Sequence, residues 1–172
     1  MRLKTIPQAV TKLHEDDPGT ALNRSMLLTL MNEGLLDYEM RGNRRVIDYD
    51  DLCVRLRELL GLTEGHGYLS PLPHIRSVNG AYRELKETRP ELGLSEERIR
   101  MLIDTGRLVC IPIGNRSYIA LELFKPPYDQ RLMLTDGAEH RPAKRKYFSP
   151  ADEQIREVLA KCGRGVRMKR SS

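Results

Sequence analysis

The sequence predicts a mainly α protein with small β-hairpins, an α+β chain made of two tandem copies of one unit followed by a C-terminal helix. Three observations carry this expectation. Positions 6–52 match positions 78–124 without a gap, an offset of 72 residues. Within each copy the apolar period changes from helical to alternating just after a glycine. Near the C-terminus, SPADEQIREVLAKCG has a cap, a first-turn proline, an apolar stripe and a terminal glycine in helical order.

The internal match contains 12 identities in 47 positions, among them Ala9/Ala81, Leu13/Leu85, Pro18/Pro90, Leu30/Leu102, Gly34/Gly106 and Ile47/Ile119. Conserving turn glycines together with core positions marks a duplicated structural unit rather than a chance run. The unit begins at Thr5 with Pro7 behind it, and at Ser77 in the second copy, both suited to cap a first helix. Its apolar face is Ala9, Val10 and Leu13, matched by Ala81, Tyr82 and Leu85. A proline-containing loop leads to a second helix capped by Asn23 or Ser95. Its core face is Leu27, Leu30 and Met31, or Ile99, Leu102 and Ile103. Gly34 and Gly106 stand where a left-handed residue ends a helix.

Residues 35–47 and 107–119 then read as paired strands turning through Gly42-Asn43 and Gly114-Asn115, which tolerate positive φ. In the first copy a third helix follows, capped by Asp48, with Leu52, Leu56, Leu59 and Leu60 as its buried stripe. In the second copy Pro126-Pro127 leaves that helix missing or short. The expected organisation is unit one at 1–60, a Gly/Pro linker at 61–74, unit two at 75–125 and a basic tail at 126–172 with a helix near 150–162.

Helix, loop, helix, hairpin, helix is the order of a winged helix-turn-helix. The residues TIPQAV, NRSMLLTLMNEGLL and RGNRRVIDYDDL resemble the excisionase and MerR-like winged-helix family of phage and mobile-element DNA-binding proteins. The resemblance covers about 55 residues of the first copy and, more weakly, about 47 of the second. It implies a second helix in the major groove and a hairpin arginine at the backbone or minor groove of double-stranded DNA. The residues expected to touch DNA are Arg24, Ser25, Thr29, Arg41, Asn43, Arg44 and Arg45 in the first copy, and Arg100, Arg107, Asn115 and Arg116 in the second.

Charge is distributed unevenly. Residues 1–60 carry net −1, residues 61–124 net 0, and residues 125–172 net +6. Within the tail, Lys144, Arg145, Lys146, Arg164, Arg167, Lys169 and Arg170 resemble a non-specific nucleic-acid arm, which adds salt-dependent affinity. The tail helix presents Ile155, Val158, Leu159 and Cys162, a stripe expected to dock on the second unit or on another subunit to form a homodimer. An extended linker of thirteen residues reaches ~45 Å, enough to set two hairpins one DNA turn of ~34 Å apart.

Other classes of function find little support. Three scattered cysteines and four unclustered histidines suggest a reducing cytoplasm and no metal site or cofactor. No apolar run approaches the ~20 residues that span a bilayer, so no membrane partner is expected. No nucleophile with a base, phosphate-binding loop or paired carboxylates is recognisable, and His14, His66, His74 and His140 read as solvated; a non-enzyme is expected. The alternative reading is a protein inhibitor of a host nuclease complex, of the anti-CRISPR type, on the same scaffold. The near-neutral units, with Leu28 and Met101 as exposed apolar residues, favour that partner class.

Overall fold

The computed structural model describes residues 3–62 and 72–133. The first repeat runs β1 (Leu3–Thr5), α1 (Ile6–Asp16), α2 (Arg24–Asn32), β2 (Glu39–Arg41), β3 (Arg44–Asp48) and α3 (Tyr49–Leu59). The second runs β4 (Ile75–Ser77), α4 (Val78–Thr88), α5 (Glu96–Asp104), β5 (Ile111–Ile113) and β6 (Arg116–Ala120). Every one of these five elements starts 72 residues after its counterpart. In place of α3 the second repeat has a 3-10 turn at Leu121–Phe124, followed by the short α6 (Gln130–Met133). The result is a mixed α+β structure with two small antiparallel sheets.

Local chemistry explains the boundaries. Thr5 and Gln8 form a capping box at α1, while the side chains of Asn23, Asp48, Ser77 and Ser95 accept backbone N–H groups at α2, α3, α4 and α5. Gly34 and Gly106 close α2 and α5 with φ of 73° and 74°, a conformation that costs other residues a Cβ clash. One element was not foreseen in each copy. The three residues before the first helix, expected only as its leader, form β1 and β4 and pair along β3 and β6. The sheets therefore have orders β1-β3-β2 and β4-β6-β5. A three-residue edge strand has too few alternations to betray itself by period.

The two repeats share one hydrophobic core, from Ile6, Leu13, Leu27 and Leu30 through Leu56 and Leu60 to Ile75, Ile99, Leu102 and Phe124. Burying each such side chain contributes about 1.5–3 kcal/mol. At the join, the Ala21 N–H donates to the Ile75 carbonyl at 2.9 Å. Gly61 lies so close to Val109 that a Cβ there would stand 3.2 Å from its methyl. Of the expected linker, 63–71 lie outside the described residues, and Leu62 and Leu72 on either side are buried. Packing, rather than linker reach, sets the separation of the two repeats.

The third helix of the second repeat, expected to be missing or short, is replaced by a segment whose Leu121, Leu123, Phe124 and Tyr128 are buried. The tail residues Lys144, Arg145, Lys146, Arg164, Arg167, Lys169 and Arg170, and the stripe Ile155, Val158 and Leu159, lie outside the described residues, as do His66 and His140. His74, expected as solvated, has a side chain 43% exposed; its Nδ1 also lies 2.5 Å from Glu122 Oε1, and its backbone N–H donates to the same carboxylate. Among the described residues no helix is long and apolar enough to cross a membrane.

Candidate nucleic-acid interface

In the first repeat the start of α1, the exposed side of α2 and the β2–β3 turn enclose a groove of about 370 Å³ lined by Thr5, Ile6, Pro7, Arg24, Leu28, Asn43, Arg44 and Arg45. The second repeat has a groove of about 310 Å³ lined by Ser77, Val78, Asn79, Arg100, Asn115, Arg116 and Ser117. Shifted by 72, each residue of the second set falls on a lining residue of the first. The fold thus makes one groove twice. β1 and β4 position it, because their pairing with the hairpin brings the helix start against the turn.

Electrostatics separate the two. None of the residues lining the first groove is acidic, and three are arginines. Helix α2 has no carboxylate in its first turn, so its positive N-terminal end is left for an anion. The side chains of Arg24 and Arg44 make no hydrogen bond or ion pair among the described residues, and both residues are exposed. Arg45 is held in place: its guanidinium donates to Asn32 at 2.7 Å and stacks over Tyr38 at 4.8 Å. That fixes a cation at the groove wall.

In the second groove, Glu96 takes up much of the positive charge. Its carboxylate accepts from Arg100 at 2.5 Å and from Asn79 at 2.9 Å, and these bonds, Arg100 first, hold its pKa below the usual glutamate range. Arg116 makes no such bond among the described residues. The first groove sets three arginines beside the apolar Ile6 and Leu28; the second keeps one uncommitted guanidinium among amides and hydroxyls.

Of the residues expected at DNA, Arg24, Asn43, Arg44 and Arg45 converge on the first groove, and Arg100, Asn115 and Arg116 on the second. The others do not line either groove. The Thr29 hydroxyl donates to the Ser25 carbonyl within α2 at 2.9 Å. Arg41 sits 3.8 Å from Glu39 on the outer strand. Arg107 lies past Gly106, its N–H donating to Leu102. Leu28 and Met101, expected to be exposed, are half-buried, and Leu28 packs on the core. The contributions of Thr5 to Pro7 and Ser77 to Asn79 were missed, although the repeat itself marked these segments as equivalent.

Comparison with protein-family profiles, with characterised proteins and with solved structures gives no match to this chain.

Proposed function

We propose that this protein binds double-stranded DNA through its two equivalent grooves, each belonging to one winged helix-turn-helix unit, and serves as an excisionase-like architectural factor or transcriptional regulator of a phage or mobile element. The carrying observation is the recurrence of one groove with an uncommitted arginine, Arg44 or Arg116, at the same place on its hairpin. Packing of the repeats on one core would hold the two grooves at a fixed spacing, which suits a duplex whose contacts repeat with the helical turn. Arg44 and Arg24 would meet phosphate or a narrow minor groove, while α2 lies along the major groove. No catalytic step is part of this reading.

A random duplex library titrated at two salt concentrations tests it on the full chain. Enrichment of a defined sequence, with Arg44→Ala weakening binding by about 1–3 kcal/mol, is the expected result. Binding without sequence preference that ignores Arg44 and Arg116 would refute it. The second reading, a protein inhibitor of a host nuclease complex, draws on the Glu96–Arg100 pair, which neutralises the second groove, and on half-buried Leu28 beside the first. It expects Leu28→Asp to abolish nuclease inhibition while Arg44→Ala leaves it intact.

A further inference from the structure

A third groove, of about 290 Å³, opens between the first hairpin and α3 and shares no lining residue with the proposed DNA site. Val54 and Tyr38 line it and are 55% and 38% exposed, the Tyr38 ring with the Arg45 guanidinium stacked on one face. Around them stand Asp37, Glu39, Asp51 and Glu58. The one lining cation, Arg55, is committed to Glu58 at 2.8 Å and to the Leu35 carbonyl at 3.1 Å. The rim is therefore acidic.

The second repeat shows what this face looks like when it is closed. Asp37, Glu39 and Asp51 correspond to Val109, Ile111 and Leu123, which are 5%, 2% and 5% exposed. One copy seals the face with its own apolar side chains; the other keeps it open and rims it with carboxylates. An occupant must bring an apolar stripe and positive charge together.

We propose that the groove seats the chain's own C-terminal segment, residues 149–170. That segment carries Ile155, Val158 and Leu159 at helical spacing, followed by Arg164, Arg167, Lys169 and Arg170. The final 48 residues hold all of the chain's excess positive charge, so the charges are complementary. Reach is sufficient. From Met133 to Ile155 the chain can extend up to ~70 Å, against a radius of gyration of ~14 Å for a domain of this size.

The full chain supplies its own probe. Cys53 and Cys110 are buried, so a nitroxide label goes to Cys162. The expected result is paramagnetic broadening of the Tyr38, Glu39 and Val54 amides, abolished by Leu159→Asp in the tail and by Asp51→Lys in the groove. Broadening absent from these amides, or centred on Gly42 to Arg44, would overturn the proposal. So would broadening that appears when isotope-labelled chain without nitroxide is mixed with spin-labelled chain of natural isotopic abundance, because the tail would then come from a second copy. No DNA is present, so the outcome is independent of the DNA-binding reading.

Discussion

Arg76 grips Asp17 across the join of the repeats with a two-pronged ion pair, Nη1 to Oδ2 at 2.5 Å and Nη2 to Oδ1 at 2.9 Å. Both side chains are less than a tenth exposed, and Nε of the same guanidinium reaches Glu84 at 2.6 Å. Burial alone would lower the pKa of Arg76, but the two carboxylates outweigh it and hold it above its usual range. The equivalent positions elsewhere are Lys4 and Arg89, so the duplication does not repeat the pair. It is specific to the place where one copy meets the other.

Removing one partner strands a buried charge. Asp17→Ala is expected to cost about 3–5 kcal/mol, read as a shift in the urea midpoint at unchanged slope. Asp17→Leu combined with Arg76→Met should recover most of that loss, because the uncompensated charge goes too. If the double variant is no more stable than Asp17→Ala, the pair is not what stabilises the join.

Gly19 makes room for that guanidinium. A Cβ at Gly19 would lie 2.7 Å from Arg76 Nη2, and three hydrogen-bonded carboxylate contacts keep the arginine from moving aside. Gly19→Ala is therefore expected to destabilise by about 1–3 kcal/mol. In an Arg76→Met background the same substitution should cost much less. Additive effects in the two backgrounds, measured by denaturant unfolding, would count against the close approach.

Much of the local architecture was legible from sequence because it depends on near neighbours. Thr5, Asn23, Asp48, Ser77 and Ser95 announce helix starts, and Gly34 and Gly106 announce helix ends, through chemistry confined to three or four residues. The repeat then places both grooves, since Arg44 and Arg116 share a position in it. The join was not legible. Arg76 sits 59 residues from Asp17, and nothing around either residue signals the other. The same holds for the common core: GLTEGHGYLSPLP has the composition of a linker, yet Leu62 and Leu72 at its edges are buried. Composition reports local flexibility and is silent about which surfaces lie opposite.

Tyr49 gives the fold a pH signature at both ends. Its hydroxyl donates to Asp16 at 2.8 Å. Burial works against the Asp16 charge, but bonds from Lys12 and Tyr49 prevail and lower its pKa. Its stabilising contribution is thus present above the unfolded value of ~3.9 and lost as pH falls through the lower folded value. For Tyr49, burial and then the bond to Asp16 raise the phenol far above its ordinary range. That contribution is complete below the unfolded value of ~10 and fades as pH rises past it. Tyr49→Phe should be less stable than wild type near pH 7, with the difference shrinking below about pH 4 and above about pH 10. Unfolding midpoints across the pH range check this; a constant difference would show that the Tyr49–Asp16 bond contributes nothing.

Glu96 distinguishes the two grooves electrostatically. Its carboxylate occupies Arg100 and stands beside the site where phosphate would approach. Its counterpart in the first repeat is Arg24, which bears the opposite charge. If both grooves engage one duplex, Glu96→Gln removes a repulsive charge and frees Arg100, so affinity should rise. The plot of log affinity against log salt should also steepen by about 0.9, the increment for one additional phosphate contact. Glu96 is half-buried at the helix start, and Glu96→Gln keeps its size and an accepting oxygen, so the unfolding midpoint should stay nearly unchanged, separating a binding effect from a folding one. A rise in affinity that disappears when Arg116→Ala is added would assign the gain to the second groove. Unchanged affinity would mean that the first groove, with Arg24, Arg44 and Arg45, contacts DNA alone.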